Sequence, residues 1–452
     1  MARKNLIVTF HNQIANLTDQ YMRNQLLQAR LAQQNRQRFM KKMKPNSIAI
    51  FHPTEVLPTN GDAIYTNRPN SDVLWLSGVE QEKTMVILFP DNPDQSAKEV
   101  LVLLRPNETL EKWEGHKLRK DEAKAISGID NIQWLDAVDP MLQVMMHNAE
   151  TVYLNTNEND RLDGSLLRLD LEFVHGWMKR FPLHRYERAA VLVKELRSIK
   201  TKDEIAVTQQ AVDITEKAFR RVMNFVRPGV GEHEIEAEIT HEFLRNRSPR
   251  HAYDPIIASG DRARVLHYVE NNQECRDGEL ILMDFGASYG NYSADLTRTI
   301  PVNGKFSKRQ REVYNAVWNA HLYAKSILKP GINFPDYVSK TNAEMEKQIL
   351  KLGLISKADI KNQDPANPAY RKYFYHGITH HLGIDVHDVG TRTGAVKEGM
   401  LFTIEPGIYI EEEQMGIRLE NNYWITKSGN VDLFKNIPVT PDEIESCMKR
   451  RK

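Results

Sequence analysis

Two stretches of the chain repeat the same order of acidic, glycine and apolar positions. In each, an acidic residue and a glycine precede an apolar run, a carboxylate follows six positions after that glycine, and another glycine comes two positions later. The stretches are residues 277–286 (DGELILMDFG) and 398–407 (EGMLFTIEPG). Because neither apolar run alternates with polar residues, each predicts a strand that is covered on both faces. A carboxylate that caps the next turn would explain one such strand end, but two copies at matched spacing favour a site.

The segments between these strands predict helices in a repeated order. Capping boxes at Thr201–Glu204 and Ser307–Gln310 indicate the starts of two long amphipathic helices. Each of these helices is followed by a Pro-Gly pair, Pro228-Gly229 or Pro330-Gly331, and then by a second helix. The chain from about residue 190 onward therefore reads as two copies of one plan, and we expect the matched strand ends to meet beside a pseudo-twofold axis.

The first part of the chain has a different pattern. Helical spacing of apolar residues predicts one amphipathic helix over residues 13–44. Short apolar runs then predict strands at residues 48–51, 73–76, 84–89 and 100–104. We expect a smaller α/β domain over residues 1–188, with a helical extension at 1–44, and a second domain over residues 189–452.

Length, charge and cysteine content limit the classes of function. A chain of 452 residues is longer than a single core usually supports, which favours two domains. Lys and Arg total 61 and Asp and Glu total 60, so no net charge attracts the chain to nucleic acid or to a membrane surface. The two cysteines exclude a disulfide scaffold and favour a reducing compartment. No apolar run approaches the roughly 20 residues of a membrane span, and we expect a cytoplasmic protein.

The residues with candidate chemistry lie at and near the two matched strands. Four carboxylates and one imidazole could converge there, and such an oxygen-rich set suits Mn²⁺, Co²⁺, Fe²⁺ or Zn²⁺. A pair of such ions, bridged by carboxylates, can activate water for attack on a carbonyl. The candidate ligands are Asp284, Asp295, His380, Glu405 and Glu420.

Three more histidines accompany these ligands, namely His267, His376 and His387. A single histidine is more often a satisfied core residue than a functional one. His267, however, precedes Asp284 by seventeen positions and His387 precedes Glu405 by eighteen, so the repeat includes them. Such histidines are typical proton carriers or hydrogen-bond partners of a substrate. The sequence has no H-E-x-x-H, no G-x-S-x-G and no G-x-x-x-x-G-K-[ST] motif.

Four segments resemble the signature blocks of the metal-dependent aminopeptidase P and prolidase family. They are residues 283–306 (MDFGASYGNYSADLTRTIPVNGKF), 376–390 (HGITHHLGIDVHDVG), 403–410 (TIEPGIYI) and 416–421 (GIRLEN). Residues 65–78 (YTNRPNSDVLWLSG) are similar to the companion amino-terminal domain of that family. The resemblance implies an α/β (α+β) pita-bread domain with an internal pseudo-twofold repeat, preceded by the smaller α/β domain.

The resemblance also implies an activity and a role for each residue. The five ligands would hold two divalent metal ions, usually Mn²⁺, in a peptidase that removes an amino-terminal residue preceding proline. Dimers or tetramers are usual in this family. Glu405, His267 and His387 would be catalytic, while His376, Tyr409 and Arg418 would contact or support the substrate. The alternatives are a prolidase, which accepts only dipeptides, and a pita-bread protein that binds a partner without metal.

The chain departs from the family pattern in two places. Arg262 and Arg264 stand where relatives have smaller or neutral residues. The loop between His387 and Glu405 is short, and Arg392 is its candidate for an arginine that recognises a substrate carboxylate. Because this loop offers little bulk to close the site, we expect peptides longer than Xaa-Pro to be accepted.

Overall fold

The structure is a computed structural model that describes residues 27–53, 55–65, 68–159 and 168–449. It divides into two compact units, Met1–Leu196 and Arg197–Lys452. This division falls eight positions after the boundary expected from the sequence. The first part of the predicted helix at 13–44, up to residue 26, lies outside the described residues, and residues 27–40 form a helix (α1).

The first unit is built on a six-stranded mixed sheet in the order β4-β3-β2-β1-β5-β6. Its strands are β1 (Ser47–Phe51), β2 (Met85–Leu88), β3 (Glu99–Leu103), β4 (Asn131–Trp134), β5 (Thr151–Leu154) and β6 (Arg185–Arg188). Its helices after α1 are α2 (Ser71–Ser77), α3 (Glu108–Glu114), α4 (Lys120–Ser127), α5 (Asp139–Asn148) and α6 (Leu169–Arg180). Helix α7 (Ala189–Ser198) runs across the division between the units.

The strand predicted at residues 73–76 is wrong, because this apolar run lies in helix α2. A short apolar run fits a buried strand or a buried helix equally well. The side chain of Asn70 settles the choice, since its oxygen accepts hydrogen bonds from the backbone N–H groups of Asp72 and Val73 and caps the helix. Gly78 then ends it in the left-handed conformation, at φ 70°.

The second unit contains the remaining elements. Its helices are α8 (Lys202–Phe225), α9 (Glu232–Arg245), α10 (Lys308–Ile327), α11 (Phe334–Lys351), α12 (Lys357–Asn362) and α13 (Pro441–Lys449). Its strands are β7 (Ile256–Ser259), β8 (Leu280–Phe285), β9 (Ser288–Tyr289), β10 (Tyr292–Ser293), β11 (Leu296–Pro301), β12 (Leu401–Ile404), β13 (Gly407–Ile410), β14 (Met415–Arg418), β15 (Asn421–Thr426) and β16 (Gly429–Asp432).

Both predicted capping boxes are present. Thr201 and Glu204 exchange backbone and side-chain hydrogen bonds at the start of α8, and Ser307 and Gln310 do the same at the start of α10. Along α8, Ile205, Val212 and Phe219 are buried in the core of this unit, as their helical spacing predicts. None of the helices in the described ranges is long and apolar enough to cross a membrane.

The repeat gives two antiparallel three-stranded sheets, β11-β8-β7 and β12-β15-β16. Each contains one of the matched strands, β8 or β12, paired with a returning strand, β11 or β15. A two-residue interruption precedes each returning strand. Residues 294–295 separate β10 from β11, and residues 419–420 separate β14 from β15. Each interruption places a carboxylate, Asp295 or Glu420, directly before a buried strand.

Candidate functional site

Four carboxylates meet where the two sheets of the second unit approach each other. Asp284 lies in β8 opposite Thr297 of β11, and Asp295 immediately precedes β11. In the other sheet, Glu405 immediately follows β12 and Glu420 immediately precedes β15. The backbone N–H of Glu420 donates to the carbonyl oxygen of Thr297 at 3.0 Å, which joins the two halves at this point. The repeat read from the sequence therefore delivers two carboxylates from each half to one place.

His380 faces these carboxylates with its Nε2 atom. That atom lies 3.3 Å from Asp295 Oδ2, 3.7 Å from Glu405 Oε1 and 3.9 Å from Glu420 Oε1. Its Nδ1 lies 2.9 Å from the carbonyl oxygen of His381, an acceptor, so Nδ1 carries the proton. The Nε2 atom therefore faces the carboxylates. Asp295, His380 and Glu420 each offer one ligand atom, and these three atoms lie within 4.8 Å of one another.

Tyr253 and Arg418 contact the carboxylates from the other side. The hydroxyl of Tyr253 lies 2.6 Å from Asp284 Oδ1 and 2.6 Å from Asp295 Oδ1. Since a phenol has one proton, it donates to one of these oxygens at a time. Arg418 donates through Nη2 to Asp284 Oδ2 at 2.6 Å, and both side chains are largely buried. Arg418 thereby offsets part of the negative charge of the site.

Burial and neighbouring charges raise the pKa values of three acids of the site, namely Glu405, Asp295 and Glu420. Burial raises the pKa of Glu405 well above its usual value, and the neighbouring charge of Glu420 adds to the effect. Burial and then the charge of Asp284 raise the pKa of Asp295, while burial and then Asp295 raise that of Glu420. So much buried negative charge requires a positive counterpart to be stable at neutral pH.

The residues fit a divalent metal. Glu420 Oε1 is buried, accepts no hydrogen bond from any donor in the described ranges, and lies 3.9 Å from His380 Nε2. Four carboxylates with one imidazole form a hard, oxygen-rich ligand set, and the sequence places no cysteine among them. The five predicted ligands that the structure brings together are Asp284, Asp295, His380, Glu405 and Glu420.

A chain of hydrogen bonds leads from the carboxylates to His376. Arg418 donates to the hydroxyl of Tyr409 at 3.0 Å, and that hydroxyl lies 2.8 Å from His376 Nε2. His376 Nδ1 lies 2.7 Å from the carbonyl oxygen of Gly377 and so bears the proton, which leaves Nε2 to accept from Tyr409. Burial, followed by the charge of Arg418, lowers the pKa of His376 to about 3. His376 is therefore a neutral side chain with a fixed tautomer, and its Nδ1 is 3.7 Å from Glu405 Oε2.

The other two predicted histidines lie at the exposed side of the site. His387 is exposed, and its ring packs edge-to-face on that of His380, with centroids 4.4 Å apart. His267 is exposed in a turn after the short helix Gly260–Arg264. It lies close enough to His376 for its charge to lower the pKa of that ring. Both side chains are accessible to solvent.

Sequence reasoning missed two side chains of the site. Thr297 donates to Glu420 Oε2 at 2.8 Å and accepts from Arg418 Nε at 3.2 Å. Thr297 lies two residues after Asp295, and alternate residues of a strand face the same side. This spacing could have identified Thr297 as a neighbour of the site. Tyr253 precedes β7 in an irregular segment and carries no periodic signal. It meets its partners 31 and 42 positions away only through the fold.

Arg392 lines a cavity of about 680 Å³ whose lining contains none of the five candidate ligands. The cavity is formed mainly by helix α11 and the segment after α12. Its lining residues are Phe334, Pro335, Val338, Ser339, Asn342, Ala343, Glu346, Gln363, Pro365, Pro368, Tyr370 and Arg392. The Arg392 side chain is exposed.

Comparison with known proteins supports the same family throughout the chain. The family model "Metallopeptidase family M24" matches residues 206–427, and "Aminopeptidase P, N-terminal domain" matches residues 32–153. Xaa-Pro aminopeptidase of Escherichia coli is 33% identical over 431 residues, covering 92% of this chain and 97% of that protein. Human Xaa-Pro aminopeptidase 3 is 29% identical over 88% of this chain and 80% of its own length.

A solved structure of Escherichia coli aminopeptidase P with the inhibitor Pro-Leu has a TM-score of 0.82 and 31% identity. The match covers 94% of this chain and 98% of that one. These findings confirm the family resemblance seen in the sequence. They also confirm the fold, a smaller α/β domain followed in the chain by a pita-bread domain, and the assignment to the hydrolases. The chain belongs to metallopeptidase family M24 and carries the amino-terminal domain of aminopeptidase P.

Proposed function

We propose that the protein removes the amino-terminal residue from peptides with proline at the second position, using two divalent metal ions, most simply Mn²⁺. The convergence of four carboxylates and His380 Nε2, with Glu420 Oε1 buried and accepting no hydrogen bond in the described ranges, carries the proposal. The names of the relatives support the substrate, since the full-length matches include Xaa-Pro aminopeptidases. The bound Pro-Leu of the Escherichia coli structure points to the same chemistry.

The metal pair supplies, when bound, Lewis acidity toward a carbonyl and toward water. Asp284 and Asp295 from one half and Glu405 and Glu420 from the other would hold the ions together with His380. We expect the ions to stabilise the charged forms of these buried acids, because an adjacent cation favours a carboxylate.

Glu405 is the base of the proposed reaction. It is the most accessible of the acids that contact His380, with 19% of its side chain exposed against 6% for Asp295 and 2% for Glu420. A carboxylate in this position can act as a general base. It accepts the proton of the attacking water and passes it to the leaving proline nitrogen.

The exposed histidines contact the substrate, and His376 supports the acids. His376 is held neutral by burial and fixed by hydrogen bonds to Gly377 and Tyr409, and it places its ring beside Glu405. His387 and His267 are exposed and can donate to the substrate carbonyl oxygen as it gains charge. Proline as the second residue lacks a backbone N–H, so recognition relies on shape and on the free amine.

The remaining parts of the proposal concern the setting of the enzyme. Both cysteines, Cys275 and Cys447, are free, which supports a cytoplasmic location. A homodimer or homotetramer is proposed from the resemblance to the family alone. The short loop that contains Arg392 favours peptides longer than Xaa-Pro over dipeptides, because it offers little bulk to close the site.

Steady-state kinetics on three peptides test the proposal, with metal-depleted protein supplied with Mn²⁺. Ala-Pro-Ala should be cleaved at least as efficiently as Ala-Pro, and acetyl-Ala-Pro-Ala should not be cleaved. Glu405→Gln, which keeps the shape of the side chain, should lose at least about a hundredfold in kcat.

Each departure from these results identifies a different error. Efficient cleavage of Ala-Pro alone would make the protein a prolidase. Cleavage of the acetylated peptide would remove the free amine from recognition. Near-normal turnover by Glu405→Gln would show that another group is the base, and no hydrolysis with any divalent ion would leave a binding protein as the remaining function.

A further inference from the structure

A second cluster of charged side chains is buried in the catalytic unit, outside the proposed chemistry. Arg197, Lys200 and Asp388 have side chains that are only 3%, 1% and 2% exposed. Asp388 Oδ1 accepts from Arg197 Nη2 at 2.5 Å, and Asp388 Oδ2 accepts from Lys200 Nζ at 2.7 Å. Arg197 lies in the last turn of α7 and Lys200 in the connection from α7 to α8, whereas Asp388 directly follows His387 in the sequence.

Stability alone gives little reason for such a cluster. Burial raises the pKa of a carboxyl, but here Arg197 and Lys200 outweigh burial and hold the pKa of Asp388 below its usual value. The desolvation cost of the ionised Asp388 carboxylate is roughly offset by its attraction to Arg197 and Lys200. Apolar residues of similar volume would often be as stable. What ion pairs add is a defined geometry, since a charged hydrogen bond fixes distance and direction.

The geometry that the cluster fixes is that of the loop 381–391. The Asp388 N–H donates to the carbonyl oxygen of His381 at 3.0 Å, and the His381 side chain donates to the carbonyl oxygen of Thr391 at 3.1 Å. Gly383 lies against the Asp388 carboxylate, where an added Cβ would be 2.0 Å from Oδ2. Only glycine leaves room for the buried acid at that point.

The same connection also holds the segment that leads into β12. The Lys200 N–H donates to the carbonyl oxygen of Gly399 at 2.8 Å, and Ile199 forms a β-bridge with Met400. Lys200 therefore fixes the loop through its side chain and the start of β12 through its backbone. Glu405 lies at the end of that strand.

We propose that Arg197, Lys200 and Asp388 form a positioning cluster that holds the His387 ring in its edge-to-face contact with His380. The geometry that the cluster would maintain is the 4.4 Å distance between the two ring centroids and the 86° angle between the ring planes. Asp388 is a positioning residue that acts through His387. The inference rests on the proposed function only where it assigns His387 a role in catalysis.

A double-mutant cycle between Asp388→Asn and His387→Ala tests this inference. Asp388→Asn should lower kcat on Ala-Pro-Ala roughly ten- to a hundredfold, the cost of a misplaced group, while KM changes little. In the His387→Ala background the same change should cost less than about twofold, because coupled residues are not additive. Glu398→Gln is the matched control, since it neutralises an exposed acid in the same segment and should leave kcat unchanged.

Additive losses in the cycle would overturn the inference and make the cluster merely structural. If Asp388→Asn fails to fold, Lys200→Met replaces it in the cycle, because Asp388 then keeps its partner Arg197. A crystal structure of the variant gives a result that needs no activity. A His387 ring still within its original contact with His380 would refute the positioning role, even if the protein proved inactive on proline peptides.

Discussion

His321 is a buried histidine that takes no part in the proposed chemistry. Its Nδ1 donates to the carbonyl oxygen of Leu419 at 3.2 Å, and its Nε2 accepts from the hydroxyl of Tyr423 at 2.6 Å. Burial, followed by the charge of Arg298, lowers its pKa to about 3. Leu419 immediately precedes Glu420, so this neutral ring supports the backbone behind one of the candidate ligands.

The lowered pKa of His321 predicts a pH dependence of stability. In the unfolded chain the ring takes up a proton below about pH 6.5, whereas the folded protein does not until about pH 3. Its contribution is therefore complete above pH 6.5 and is lost as pH falls toward 3. Between pH 6.5 and 5, the wild type should lose about 1.5 kcal/mol more unfolding free energy than His321→Gln. Urea unfolding at several pH values measures this difference, and parallel curves for the two proteins would contradict it.

At the scale of elements, α8 shows how a local signal supports the site. Its capping box was predicted from the sequence, and in the structure Glu204 N donates to Thr201 Oγ1 at 3.2 Å. The Glu204 carboxylate also accepts two hydrogen bonds. One comes from the Thr201 backbone N–H at 2.7 Å and the other from the hydroxyl of Tyr292 at 2.8 Å. The helix start is thereby joined to β10, a few residues before Asp295.

Loss of the cap should destabilise the protein without affecting its site directly. Thr201→Ala removes the acceptor for Glu204 N and should lower the unfolding free energy by about 1 kcal/mol. Thr201→Ser retains the hydroxyl and should lose less. Urea titration of both variants separates the contributions, since equal losses would assign the effect to the methyl group and not to the cap.

At the scale of the whole molecule, the two units match different family models. The M24 match and the candidate ligands all lie within Arg197–Lys452, while the aminopeptidase P N-terminal match lies within Met1–Leu196. The buried acids of the second unit are destabilising when charged and unpaired. Metal binding should therefore contribute to the stability of the folded chain.

Metal removal should lower the unfolding temperature. A ligand at a hundred times its Kd that binds only the folded state adds about 2.7 kcal/mol of stability, so Mn²⁺ should raise Tm by several degrees over chelator-treated protein. Glu420→Gln removes a candidate ligand and should largely abolish the rise. Calorimetry with and without Mn²⁺ decides the matter, because an equal rise in the variant would place the bound ion elsewhere.

The sequence alone predicted the elements and residues whose signals are local. The capping boxes, the matched strands β8 and β12 and the four carboxylates at interruptions or ends of strands follow from spacing within a few positions. The resemblance to a known family then supplied the overall fold, which the comparisons confirm.

Tertiary structure decided what depends on contacts between distant segments. Tyr253 reaches Asp284 and Asp295 across 31 and 42 positions, and Lys200 reaches Asp388 across 188. No periodic pattern records such contacts, because periodicity describes which face of one element is buried and not what covers it. The same limit explains the apolar run at 73–76, whose burial was evident but whose helical form depended on the Asn70 cap. The sequence by itself determined which groups are available for chemistry, while their protonation and orientation depend on neighbours that only the folded chain brings together.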